Sequence, residues 1–322
     1  MGPLIWIIDE EWTDYETEKA LLTARFPTAE IRRSGYDYGR DLEAFGVRAD
    51  LILAQIYAAV PAAVIGRLER CRGIAVYGGG YDRVDIQAAR ERGIKVTNVQ
   101  GYCAEDLADY VLAAIFRHSK EIDAYQGGLT DRLWGAPAVK HVRHRVSGST
   151  LLLIGCGTIG RTVAAKAGAL GMTVLGYDPH VPEEEMARAG IEKTSLEAGL
   201  ERADYISLHV KLTGKTRGLI GKEEFERMKP TAYFINTARG GLVVEEELIQ
   251  ACQSGKLSGA CVDVIAEEPP TGREAIFSCD RILVTPHVSY ISRESFDTLK
   301  ERTVRNAICM YEGGEPEDWV NR

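Results

Sequence analysis

The stretch Thr150-Leu151-Leu152-Leu153-Ile154-Gly155-Cys156-Gly157-Thr158-Ile159-Gly160 decides the fold. Its first five residues form an apolar run of the kind that makes a strand buried on both faces. The glycines that follow match G-x-G-x-x-G where a helix over Thr158 to Leu170 begins, so backbone N–H groups at the helix start can face a pyrophosphate. A second strand, Thr173 to Tyr177, leads into Asp178, 21 residues beyond Gly157. A carboxylate there accepts hydrogen bonds from an adenosine ribose and repels a 2′-phosphate. Strand, turn, helix and acid together read as a dinucleotide site that selects NAD over NADP.

Outward from this unit, similar short apolar runs recur at Leu4 to Ile8, Leu51 to Leu53, Ile74 to Tyr77, Tyr205 to Leu208, Tyr233 to Ile235 and Ile282 to Thr285, with helix-period segments between them. That alternation predicts a doubly wound α/β protein with parallel sheets covered on both faces. At 322 residues the chain is long for one core, and two compact units are expected. A long helix from about Ala104 to Glu121, before a glycine-rich loop at Gly127-Gly128, leads from one unit to the next, and a helix over Glu294 to Tyr311 returns. Forty-seven acidic against 39 basic residues leave a net charge of -8, which provides no footprint for nucleic acid. The seven cysteines are scattered without a C-x-x-C pair, and the N-terminal apolar run is too short to span a bilayer. No metal, no membrane and a reducing cytoplasmic setting are therefore expected.

Three further segments sit just past strands: Asn236-Thr237-Ala238-Arg239-Gly240-Gly241, Asp263-Val264-Ile265-Ala266-Glu267-Glu268-Pro269 and Thr285-Pro286-His287-Val288. In open α/β sheets the carboxyl ends of the strands form the binding crevice. Interconverting a 2-hydroxy acid and a 2-keto acid needs a planar cation for the carboxylate, an acid/base for the oxygen and a group to tune that base. Arg239, His287 and Glu268 are the residue types that fill those needs.

These motifs resemble the D-2-hydroxyacid dehydrogenase family, which includes glycerate/glyoxylate, phosphoglycerate, D-lactate and formate dehydrogenases and a group of dinucleotide-sensing corepressors. The likeness runs from Tyr77-Gly78-Gly79-Gly80-Tyr81-Asp82-Arg83-Val84-Asp85 through the glycine motif and Leu208-His209 with Thr213 and Thr216 to Thr285-Pro286-His287. It implies that Arg239 binds and polarises a 2-keto acid, that His287 exchanges the proton and that Glu268 holds His287. It implies substrate contacts from the backbone around Gly79 and Gly80 and from Tyr102. It assigns to NAD the residues Gly155, Gly157, Thr158, Ile159, Gly160, Asp178, His209, Val210, Thr216, Thr237, Ala238, Arg239, Asp263 and His287. The implied architecture is two Rossmann-like domains: a discontinuous, flavodoxin-like substrate domain over 1–101 and 291–322, and a central NAD-binding domain over 102–290 that forms most of a homodimer interface.

The expected activity is hydride transfer between nicotinamide and C2 of a small D-2-hydroxy or 2-keto acid of glyoxylate, hydroxypyruvate or pyruvate type. The alternative within the same fold is a corepressor-like protein that senses dinucleotide. Lys211 stands where the family usually has proline, and Tyr77-Gly78-Gly79 replaces the usual small or β-branched residues before Gly80, so an unusual substrate pocket is expected. The strand end Leu53-Ala54-Gln55-Ile56-Tyr57 lacks the arginines that would hold a phosphate, and Glu268 stands where formate dehydrogenases carry glutamine. Neither phosphoglycerate nor formate is the expected substrate.

Overall fold

The structure is a computed structural model that describes residues 2–128, 133–139 and 141–322. The chain divides into two compact units, Met1–Tyr102 with Ser292–Arg322, and Cys103–Ile291. Both are α/β units built on an all-parallel sheet.

In the first unit, strands β1 (Leu4–Ile8), β2 (Glu30–Ser34), β3 (Leu51–Gln55), β4 (Gly73–Tyr77) and β5 (Lys95–Thr97) lie in the order β2-β1-β3-β4-β5. That is the flavodoxin-like order, which reverses between β1 and β3. Every residue of β1, β3 and β4 is buried, as an interior parallel strand demands. Strand β2, Glu-Ile-Arg-Arg-Ser, was not expected from the pattern, because an edge strand with three exposed residues carries no apolar run. Helices α1 (Glu16–Arg25), α2 (Gly39–Ala44), α3 (Ala62–Ile65) and α4 (Ile86–Glu91) connect the strands.

The second unit opens with α5 (Ala104–Lys120) and α6 (Ile122–Gly128). The segment Gly127-Gly128, expected as a loop from its glycines, ends this helix instead; two glycines lower helix propensity without forbidding the last turn. Next come β6 (Thr150–Ile154), α7 (Thr158–Ala169), β7 (Thr173–Tyr177), α8 (Glu183–Arg188), β8 (Glu192–Lys193), α9 (Leu196–Arg202) and β9 (Tyr205–Leu208). Helix α10 (Lys222–Arg227), β10 (Tyr233–Asn236), α11 (Glu245–Gln253), β11 (Gly259–Val262) and β12 (Ile282–Val284) complete it, and α12 (Arg293–Tyr311) belongs to the first unit. The seven strands run β12-β11-β10-β9-β6-β7-β8, so strand order reverses between β6 and β9. Leu152 and Ile154 of β6 enter one apolar cluster while Leu151 and Leu153 enter another. This is the period-two alternation of a strand covered on both faces. Among the described residues no helix is long and apolar enough to cross a membrane.

One polar residue in this core carries a prediction. His118 of α5 stacks on Tyr233 at 4.1 Å, and its Nε2–H donates to Ser258 Oγ at 3.0 Å, since that hydroxyl is itself donated to Ala232 O. Burial, then the nearby charge of Arg143, pushes its pKa down to about 4 from an ordinary value of 6.5. The unfolded chain therefore binds a proton that the folded chain refuses between these two values. Stability is fully present above about pH 6.5 and falls toward pH 4, by on the order of 3 kcal/mol for this one ring. Urea midpoints from pH 7 to pH 4 should show the fall. His118→Gln should reduce the fall while leaving the part due to the desolvated His209, and an unchanged slope in that variant would remove His118 from the account.

Candidate active site

The turn after β6 is shaped by two glycines that the packing requires. Gly155 has φ +100°, and a Cβ there would come within 2.6 Å of His209 O; a Cβ on Gly160 would lie 2.2 Å from Gly155 O. Both close approaches serve strand-to-helix and strand-to-strand packing where strand order reverses. Gly157 is different, because a Cβ there would meet nothing within 4 Å. No atom of the described residues explains its missing side chain, and open space at a helix start fits a pyrophosphate approaching the backbone. Helix α7 has no side-chain cap, which leaves the N–H groups of its first turn, from Thr158, Ile159 and Gly160, for such a group. Burial pushes the Cys156 thiol up to about 12, so the thiol in the middle of the motif is inert.

Asp178 closes this turn from β7. One carboxylate oxygen accepts the Cys156 N–H at 3.0 Å and the other the His180 N–H at 2.9 Å. Its negative charge thus stands at the edge of the glycine loop. From β9, His209 donates its backbone N–H to Ile154 O at 2.7 Å, and its Nε2 lies 3.0 Å from Ser207 Oγ. Desolvation pushes its pKa down to about 4, so the ring is neutral at physiological pH. Val210 packs against the core of this unit, and Thr216 Oγ1 closes its own loop by donating to Lys211 O at 2.6 Å.

Past β10, the buried Asn236 shapes the Arg239 segment: its Oδ1 accepts the Ala238 N–H at 3.0 Å and its Nδ2–H donates to Arg239 O at 2.9 Å. Thr237 is buried, and among the described residues its hydroxyl has no partner, a group suited to a bound ligand. Arg239 is half-buried and donates from Nη1 to Ala238 O at 2.8 Å. A Cβ on Gly240 would collide with Ile265 O at 1.8 Å, so glycine is what lets the Arg239 segment press against the segment past β11.

That segment leads to Glu268. Its Oε1 accepts the Ile265 N–H at 3.0 Å, and its Oε2 lies 3.0 Å from His287 Nδ1. A carboxylate only accepts, so Nδ1 carries a proton. Both side chains are nearly buried, His287 at 12% and Glu268 at 14% exposed. His287 has φ +54°, a left-handed backbone that a histidine adopts at a cost of about 1 kcal/mol. Asp263 holds it there: its backbone O accepts the His287 N–H at 2.8 Å, and its carboxylate accepts Val288 N–H, Ser289 N–H and Thr285 Oγ1–H at 2.9, 2.8 and 2.6 Å. Asp263 thus spends at least three of its acceptor positions on the histidine loop. Tyr110 of α5 adds a hydroxyl contact to Thr285. Sequence reasoning passed over Tyr110 and Ser207, since a tyrosine in an amphipathic helix and a serine in a buried strand carry no signal beyond core packing.

Gly79, Gly80 and Tyr102 lie in the first unit. Gly78 O accepts the Val99 N–H at 2.8 Å and Gly79 O accepts Asn98 Nδ2–H at 2.7 Å, which turns both carbonyls toward the segment after β5. Among the described residues, the N–H groups of Gly79 and Gly80 meet no protein acceptor. Two free, adjacent backbone donors on bare glycines suit a carboxylate. Tyr102 is half-exposed just before α5.

Residues 112–289 match the family described as D-isomer specific 2-hydroxyacid dehydrogenase, NAD binding domain. The chain is 32% identical over 275 residues to the glyoxylate reductase of Korarchaeum cryptofilum, covering 85% of this chain and 80% of that one. It is 36% identical over 248 residues to the hydroxypyruvate reductase of Thermotoga maritima, covering 76% and 79%. Among solved structures, the D-lactate dehydrogenase of Aquifex aeolicus, complexed with NAD and lactic acid, superimposes with a TM-score of 0.90 at 26% identity over 99% of each chain.

Proposed function

This chain belongs to the D-isomer specific 2-hydroxyacid dehydrogenase family, and we propose that it reduces a small 2-keto acid of glyoxylate, hydroxypyruvate or pyruvate type to the D-2-hydroxy acid. It is an NAD-dependent oxidoreductase with two Rossmann-like domains. The observation that carries the proposal is the Glu268–His287 pair, Oε2 to Nδ1 at 3.0 Å, at the carboxyl end of the nucleotide-binding sheet.

The cofactor, when bound, supplies the hydride. Gly155, Gly157, Thr158, Ile159 and Gly160 hold its pyrophosphate, Asp178 its ribose, and His209, Val210, Thr216, Thr237, Ala238 and Asp263 border the rest. Arg239 binds the keto acid through its planar guanidinium and draws electron density from the carbonyl. His287 donates the Nε2 proton to the carbonyl oxygen as it becomes an alcohol. Glu268 keeps the imidazole oriented by accepting from Nδ1. Gly79 and Gly80 bind the substrate carboxylate through their N–H groups, and Tyr102 is a further substrate contact.

The reading extends to a cytoplasmic homodimer that binds no nucleic acid. The cysteines are all free, and the net charge of -8 opposes phosphate backbones. Of nine exposed large apolar side chains among the described residues, five (Ile122, Leu133, Trp134, Val139 and Val142) fall in one stretch of the nucleotide-binding unit, a surface that a second copy would cover.

Purified protein with NADH should reduce at least one of glyoxylate, hydroxypyruvate and pyruvate at a kcat above about 1 per second. Absence of turnover across a panel of 2-keto acids would favour a dinucleotide-sensing role. Asp178 supplies the cofactor prediction: NADH should exceed NADPH in kcat/KM by about 100-fold or more. Asp178→Ser should reduce that ratio to below 10, and equal efficiency in the unmodified protein would remove Asp178 from this role.

A further inference from the structure

A buried charged network roots the Tyr77-Gly78-Gly79-Gly80 loop in the first unit. Tyr77, the last residue of β4, is 1% exposed, and its hydroxyl donates to Glu18 Oε1 at 3.3 Å. Glu18 of α1 is fully buried, and among the described residues its other oxygen, Oε2, has no hydrogen-bond partner. Lys300 of α12 lies 3.7 Å from it and is itself 2% exposed. Lys300 donates to Asp14 O at 2.5 Å and sits among the rings of Trp12, Tyr15 and Phe296, with Nζ 5.3, 5.8 and 4.9 Å from their centroids. Trp12 in turn packs edge-on against Tyr77 at 4.8 Å.

This arrangement does not read as a device for stability. Burying two opposite charges costs several kcal/mol per ion, recovered only when the pair is close and its remaining acceptors are satisfied. Here the pair is 3.7 Å apart and one carboxylate oxygen is unsatisfied, so apolar residues of similar volume would stabilise the unit at least as well. What the network does touch is Tyr77. The next residue, Gly78, has φ +146°, and a Cβ there would lie 2.5 Å from Ile56 Cγ2, so the turn that follows β4 requires glycine. A second line of contacts from α12 reaches the same loop. Arg302 holds Asp318 with two contacts of 2.8 Å, and Asn306 Nδ2–H donates to Asp318 Oδ2 at 3.1 Å and to Asn98 O at 3.3 Å. Asn98 then holds Gly79 O at 2.7 Å.

We propose that Glu18 and Lys300 are positioning residues: through Tyr77 they fix the Gly79 and Gly80 N–H groups in the direction that binds the substrate carboxylate. The inference rests on the role proposed above for that loop. Neither residue touches substrate. Each sets the site's geometry through a phenol that an ordinary core position would fill with phenylalanine.

The test compares Tyr77→Phe, Glu18→Gln and Lys300→Met with the unmodified enzyme. KM for the best keto acid, read on the folded enzyme, should rise about 10-fold in each with KM for NADH unchanged, and the melting temperature should fall in Tyr77→Phe, which takes the Tyr77 donor from the buried Glu18 Oε1. The double variant Glu18→Gln/Tyr77→Phe should be no worse than the poorer single, because both cut one path. Amide exchange in the segment 73–85 should quicken in all three variants. A merely structural network would lower the melting temperature and the active fraction while leaving both KM values in place, and that result overturns the proposal. If the unmodified protein reduces no keto acid, the function proposed above fails, and exchange alone decides. Unchanged exchange over 73–85 in Tyr77→Phe and Glu18→Gln then overturns the positioning role.

Discussion

Replacing His287 by asparagine should lower kcat for keto-acid reduction by about 1,000-fold while NADH binding, read by fluorescence titration, changes less than 3-fold. Asparagine can keep a hydrogen bond to Glu268, so the histidine loop should survive. The contacts of Asp263 with Thr285, Val288 and Ser289 hold that loop without the imidazole. What asparagine cannot do is give a proton to the forming alkoxide. Glu268→Gln should act in the same direction but more mildly, about 10-fold in kcat, since it keeps the contact to His287 Nδ1 at 3.0 Å and removes only the charge. A His287→Asn enzyme within 10-fold of the unmodified kcat, with hydride transfer shown to limit the rate by a deuteride isotope effect, would assign the proton to another group.

Arg239→Lys should lower kcat/KM for the keto acid by about 100- to 1,000-fold, equivalent to roughly 3 to 4 kcal/mol of transition-state binding. The side chain of Arg239 is half-buried, and its segment is pressed between Asn236 and the Ile265 backbone. A guanidinium presents a planar fork that reaches a carboxylate and the neighbouring carbonyl oxygen together; an ammonium offers one charge in another place. The loss should fall on kcat as well as KM, because polarising the carbonyl is felt more strongly as charge develops on its oxygen. Lysine that restores near-normal efficiency on every active keto acid would make this arginine peripheral.

Much of this architecture is legible in the residues alone. The run Leu151 to Ile154 is apolar at every position because β6 is covered on both faces, and the two apolar clusters take its residues alternately. Arg239, Glu268 and His287 stand out because each follows a strand, and strand ends in a parallel sheet point to one edge. Strand β8, two exposed residues long, was invisible for the same reason as β2: an edge strand needs only backbone pairing and leaves no apolar signature. The glycine pair at 127–128 misled because glycine reports what the backbone permits, and a helix end permits it too.

By itself the sequence determined the interior strands, the helices between them and the parallel sheets that follow, because periodicity and turn chemistry act over a few residues; the order of the strands came from the structure. Only the tertiary structure decided which polar groups meet. Gly240 is glycine because the Ile265 carbonyl lies against it, Asp263 supports the backbone of His287, and Glu18 finds Tyr77 from 59 residues away. Such contacts depend on how helices settle on a sheet, and no local pattern encodes the distance between two side chains brought together from opposite ends of the chain, as Lys300 is to Asp14 across 286 residues.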